Sequence, residues 1–143
     1  MKLCLIALCG LALAGCKPDN SKAAAEIVDH RWAKALSDCG TNHVEFLPAQ
    51  INYVVNGKPD EPLPIRRLDT WSSDPGAVMF VVKVSKELAA KVGTPDDTSD
   101  AAFVFEIQNG RLNLVGEGGP DSILPVKPGD AGYKRYGLLR CPD

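Results

Sequence analysis

Residues 101–117, AAFVFEIQNGRLNLVGE, decide the fold class. Two apolar-rich strands flank Asn109-Gly110, a pair that tolerates the two positive φ angles a type I′ hairpin turn requires. Upstream, residues 77–84, AVMFVVKV, carry apolar side chains at consecutive positions. A strand with apolar residues on both faces belongs in the middle of a sheet. The shorter runs HVEFL (43–47), INYVV (51–55), IRRLDTW (65–71) and YKRYGLLRC (133–141) read as further strands. In IRRLDTW, strict alternation places Ile65, Arg67, Asp69 and Trp71 on one side.

Turns and loops separate these runs. Asn56-Gly57 and SSDPG (72–76) are turn signals, and KPDEPLP (58–64), TPDDTSD (94–100) and GGPDSILPVKPGDAG (118–132) are loops. Residues 22–38 carry a different pattern. Ala24, Ile27, Val28, Trp32, Ala35, Leu36 and Cys39 recur at helical spacing, with Glu26, His30 and Lys34 opposite. Ser21 is a candidate N-cap and Gly40 a stop. SKELAAKVG (85–93) reads as a second, two-turn helix. The expected fold is α+β: one N-terminal helix packed on an antiparallel sheet of about six strands. A small β-barrel with a helix is the alternative, because short strands dominate.

Lys2 is followed by an apolar stretch, Leu3 to Leu13, too short to span a bilayer, which takes about 20 residues. A basic start, an apolar middle and a small-residue end have the layout of a secretory signal. Leu13-Ala14-Gly15-Cys16 then resembles the lipobox of bacterial lipoprotein precursors. The resemblance covers the first sixteen residues. It implies cleavage before Cys16 and lipidation of that cysteine, whose acyl chains give firm attachment to a membrane. An ordinary cleaved signal ending at Ala12-Leu13-Ala14 is the other reading. In the family, an aspartate after the lipidated cysteine favours inner-membrane retention. Lys17 stands there instead, so the resemblance implies the outer membrane, with the domain facing the periplasm.

The chain then divides into a signal peptide at 1–15, a lipidated tether at 16–22 and one globular domain at 23–143. The polar residues 17–22 reach about 20 Å when extended, which keeps the domain near the membrane. If Cys4 and Cys9 leave with the signal and Cys16 carries lipid, Cys39 and Cys141 remain. An oxidising compartment makes them a disulfide pair. Without C-x-x-C spacing, and with only two histidines in the chain, a metal site is not expected.

No catalytic set stands out. His30 sits between Glu26 and Lys34 on the expected polar helix face, and His43 follows Cys39 by four residues. A bridged Cys39 has no thiolate, so that pair lacks a nucleophile. The serines lack a G-x-S-x-G context. Asp96, Asp97 and Asp100 make an oxygen-rich loop without EF-hand spacing. Glu106 and Glu117 are a conceivable carboxylate pair without a sugar cleft around them. GEGGP (116–120) ends in proline, not in a helix start, so it is a turn rather than a phosphate loop. Neither an enzyme nor a cofactor is expected.

The formal net charge is −2, and the basic pairs Arg66-Arg67 and Lys134-Arg135 are isolated, so nucleic-acid binding is not expected. Protein interfaces favour Tyr, Trp and Arg anchors. Here these are Tyr53, Arg66, Arg67, Trp71, Tyr133, Arg135 and Tyr136, with Trp71 and Tyr136 equally readable as half-buried core caps. Six of the eleven prolines lie in the two polar loops 56–64 and 117–132, which stiffens them ahead of binding. The sequence therefore points to a lipid-anchored domain that binds and blocks a protein, in the manner of an immunity protein or an inhibitor of an envelope-targeting hydrolase. The likeness to such lipoproteins is architectural. A structural or assembly lipoprotein of an envelope complex is the alternative.

Overall fold

The computed structural model describes residues 21–71, 76–87 and 100–143. The chain order is α1 (Ser21–Ile27), β1 (His30–Ala33), β2 (His43–Phe46), β3 (Gln50–Val55), β4 (Lys58–Pro59), β5 (Leu63–Thr70), β6 (Ala77–Lys83), β7 (Asp100–Gln108), β8 (Arg111–Gly119), β9 (Ser122–Pro125) and β10 (Leu138–Arg140). Every pairing is antiparallel. The order β10-β1-β2-β3-β5-β6-β7-β8 closes on itself through a β8–β10 pairing, giving an eight-stranded barrel. Two short strands lie outside the ring: β4 extends β3 and β9 extends β8.

This corrects the expected helix on a six-stranded sheet. The helix is seven residues long, and the expected helical stretch splits at Asp29, whose φ is 64°. A non-glycine residue in that region cannot continue a right-handed helix. Beyond it, Trp32 and Val44 are neighbours across β1 and β2 and face the interior, while Arg31 pairs with Glu45 on the outside. Two-residue alternation overrode the three-to-four spacing that the same apolar residues also satisfy. Glu26, His30 and Lys34 consequently share no helix face. Part of the 85–93 stretch and most of the 94–100 loop lie outside the described residues.

Other expectations change in detail. Residues 118–132 contain β9, and Ala131–Arg135 form a 3-10 turn, so the final strand is only Leu138–Arg140. Lys58–Pro59 and Leu63–Pro64 are strand, not loop. The ladder shifts register between Ile65 and Arg67, so β5 does not alternate strictly: Ile65 packs against the main core, whereas Arg67 opposes Val81 of the second cluster. Both Asn-Gly turns form as read, with φ of 53° and 73° at Asn56-Gly57 and 52° and 72° at Asn109-Gly110. β6 is buried along its length except Lys83, as a central strand should be.

The lumen is solid. All eight ring strands contribute to one cluster, in which Phe46, Phe80 and Phe105 meet at 5.1 to 6.0 Å between ring centres. Eight strands enclose just enough room for side chains to fill. Tilted and edge-on ring contacts add about 0.5–1.5 kcal/mol each beyond burial. A second cluster, Ala77, Met79, Val81, Ala102 and Val104, uses the alternate positions of β6 and β7 and so lies on their outer face.

Antiparallel order sorts the connections by length. β2, β5 and β7 end, and β3, β6 and β8 begin, at one end, the base. β1, β3, β6 and β8 end at the other, the mouth, where the described residues 34–42, 56–62 and 120–137 connect strands. α1 enters at the base, where Ala24 and Ile27 join the lumen core. The Trp32 indole donates to the Ile27 carbonyl at 3.3 Å, and the Asp29 amide to the Phe46 carbonyl at 2.7 Å.

Candidate functional site

The mouth is stoppered by the turn Ala131–Arg135. Arg135 reaches inward and lies over the ring of Tyr53 (4.6 Å) and that of Phe103 (5.3 Å). β3 supplies Tyr53, β7 supplies Phe103 and β8 supplies Glu117, which stands opposite Phe103 in the ladder. A guanidinium over aromatic faces gains electrostatic as well as contact energy. The hydroxyl of Tyr53 is buried with no hydrogen-bond partner among the described residues. Burial pushes its phenol above the ordinary range; Arg135 opposes that shift and Glu117 adds to it.

Close backbone approach brings the turn down onto β8. A Cβ placed on Gly132 would stand 2.7 Å from Oε1 of Glu117, so a larger residue there would push the carboxylate out of its present position. At the turn's end, the Gly137 amide donates to Oδ1 of Asn113, a buried polar side chain, at 2.7 Å. Arg111 donates to the Gly137 carbonyl, and Lys34 to that of Tyr136. Tyr133 and Tyr136 stack nearly parallel, 4.9 Å apart.

Beside the turn lies an open cleft of about 460 Å³ lined by Glu117, Leu124, Pro125, Lys127 and Asp130. Asp130 accepts from the Lys127 amide at 2.8 Å, which folds the loop back on itself. The Glu117 carboxylate and the Lys127 ammonium make no ion pair among the described residues.

The seven anchor residues read from sequence thus separate into three places. Tyr53, Tyr133, Arg135 and Tyr136 gather at the mouth, where Tyr53 and Arg135 are spent on each other. Arg66 and Arg67 lie on β5 and pair with Asp100 (3.5 Å) and Asp69 (3.8 Å). Trp71, near the base, packs against the outer apolar cluster, which is the core-cap role. Glu106 and Glu117 do not face one another: Glu106 stands opposite Asn113 and accepts from Gln108, whereas Glu117 stands opposite Phe103 and Leu124. Phe103, Leu124, Lys127 and Asp130 went unread. A loop with three prolines was the only sequence signal near them.

Cys39 and Cys141 are bonded, with Cα atoms 5.7 Å apart. Cys39 follows a 3-10 turn, Leu36–Asp38, rather than a helix end. With Ala33 the bridge forms a small cluster of its own, separate from the lumen. His43 stands nearby; burial first and Arg31 second hold its imidazole below the ordinary value, with Glu45 opposing. Among the described residues, no group of three or more His, Cys, Asp or Glu side chains is placed to hold a metal ion. No helix there is long and apolar enough to cross a membrane. The chain matches no family model, no curated protein and no solved structure.

Proposed function

We propose that this chain is an outer-membrane lipoprotein whose periplasmic domain binds and blocks a protein partner, as an immunity protein or inhibitor of an envelope-targeting hydrolase. The observation that carries this reading is the separation of the two barrel ends. α1, which follows the tether, closes the base, and the longer connections collect at the mouth. An anchor on Cys16 then leaves the mouth pointing away from the membrane. Phe46, Phe80 and Phe105 pack together inside the lumen, which favours recognition on the outer surface. The stacked Tyr133 and Tyr136 and the cleft lined by Glu117, Leu124 and Lys127 offer the aromatic and charged contacts that protein interfaces use.

The test is capture. The full chain carrying Cys16→Ser, secreted without lipid, is used as bait against secreted proteins of neighbouring strains. Recovery of a wall- or lipid-degrading enzyme whose activity falls on binding supports the reading. Stable recovery of an outer-membrane assembly instead turns it toward the structural role. If deleting the gene leaves cells no more sensitive to a competitor, blocking is not the function.

A further inference from the structure

We infer that the cleft lined by Glu117 of β8, Leu124 and Pro125 of β9 and the loop residues Lys127 and Asp130 receives an aliphatic ammonium or guanidinium, presented as a lysine or arginine side chain of the protein partner. The inference rests on the protein-binding reading above and names the chemistry of one contact.

Three features define the pocket. Its lining carries two carboxylates, Glu117 and Asp130, against one ammonium, Lys127. Asp130 is partly engaged by the Lys127 amide, whereas the Glu117 carboxylate has neither a hydrogen bond nor an ion pair among the described residues. Glu117 is half-buried on Cα of Gly132 and near the buried, unpartnered hydroxyl of Tyr53. A carboxylate partly withdrawn from water and left without a cation gains more from an incoming one than a fully solvated acid does. Arg135 lies over Tyr53 and Phe103 and makes no ion pair with Glu117.

The second feature is apolar. Leu124 is 70 % exposed, the most exposed large hydrophobic residue described, and Pro125 continues its surface. A lysine or arginine stem packs along such a surface while its head reaches a carboxylate. The third is size. At about 460 Å³ the open cleft has room for a long side chain together with part of the backbone that carries it. Rigidity favours the same use, because the β8–β9 turn is fixed by Gly118 at φ 152°, where an added Cβ would lie 2.4 Å from the Ser122 carbonyl.

The experiment is an NMR titration of the Cys16→Ser chain with N-acetyl-lysine methylamide and N-acetyl-arginine methylamide. The neutral norleucine and citrulline analogues and plain butylamine serve as comparators. Saturable shifts at the Gly132, Leu124 and Lys127 amides are expected for the two basic probes, with Kd of roughly 1 mM. Butylamine, lacking the peptide context, should bind more weakly; equal binding would mean a free-amine site and overturn the side-chain assignment. Glu117→Gln should weaken the basic probes about tenfold or more, and Leu124→Ser, on an exposed side chain, should weaken them without altering the fold. Neutral analogues binding as well as the basic ones, or Glu117→Gln binding as well as the parent, would overturn the inference. A captured partner held equally by Glu117→Gln overturns it and leaves the protein-binding reading intact. Probe binding with no partner captured supports the cleft chemistry while removing that reading.

Discussion

Strands β5 to β8 run seven to nine residues each, and β6 between them is buried on both faces. Across the lumen, β10, β1, β2 and β3 run three to six residues and carry a polar outer face on which Asn52 donates to Glu45 and Gln50 donates to Asn52. The two walls meet at only two seams. β3 and β5 share the pairs Gln50–Pro64 and Ile51–Leu63; β8 and β10 share Leu138–Leu112 and Leu139–Arg111. Each seam is a ladder of two pairs, and at the first the Ile65 amide adds one more bond, to the Ala49 carbonyl at 2.8 Å. The long wall is held by its own ladder and apolar packing. The short wall needs help, and the disulfide gives it. Residue 39 leaves β1, residue 141 leaves β10, and the bridge binds that pair from outside.

Removing the bridge is the strongest way to break the comparison. The cysteines are 102 positions apart, and a loop of about 100 residues is worth about 4.7 kcal/mol in the chain-entropy account. A Cys39→Ser/Cys141→Ser double variant should lose about that much in urea unfolding. Hydrogen exchange should show the loss first in β10, β1 and β2, with β6 and β7 opening last. Uniform loss of protection would mean that the two walls are a single cooperative unit.

Next in size is the joint inside the barrel. Phe105 belongs to the long wall, yet its ring stands edge-on to Phe46 of the short one, 5.1 Å away. Phe105→Ala should cost about 3–5 kcal/mol, the range for a buried phenylalanine truncated to alanine. Unlike loss of the bridge, it should lower protection in both walls together. A cost near 1 kcal/mol would show that the aromatic trio is not what couples them.

The same contrast explains what was legible in the sequence. The long wall could be read because its signals are local: Asn109-Gly110 sets the hairpin, and the 77–84 run marks a central strand. The short wall misled. Ala24, Ile27, Val28 and Trp32 fit a helix by spacing, and only the left-handed Asp29, fixed by its amide bonding to Phe46, breaks that pattern. Ring closure was illegible for a related reason. It depends on two residue pairs between β8 and β10, formed across a 26-residue separation at Leu138–Leu112. The bridge emerged from counting cysteines, since elimination needs no geometry. At the candidate site, Tyr53 and Arg135 were readable as residue types but not as partners of each other. Glu117 was read as one of a carboxylate pair, and its true neighbour, Gly132, has no side chain to announce the contact.

The smallest effect tests the mouth, where the walls are joined by side chains rather than by a ladder. Tyr53 from the short wall and Phe103 from the long one share Arg135. Tyr53→Phe keeps both rings under the guanidinium and removes the orphan hydroxyl. Because an unpaired buried hydroxyl costs about 1–3 kcal/mol of desolvation, the variant should be as stable as the parent or gain about 1 kcal/mol. The pH dependence separates this from a neutral surface change. In the folded chain the Tyr53 phenol is held above its ordinary value of 10.0, chiefly by burial. Once pH passes that ordinary value, the unfolded chain releases the proton while the folded chain keeps it. The unfolded state then binds fewer protons, so stability falls as pH rises toward the folded pKa. The contribution is complete below pH 10 and is lost above it. Urea unfolding from pH 8 to pH 11 should show a decline in the parent that is steeper than in Tyr53→Phe, with the two curves parallel below pH 9. Equal slopes above pH 10 would mean that the phenol is open to water, and Arg135 would then be a loose cover rather than a bolt between the walls.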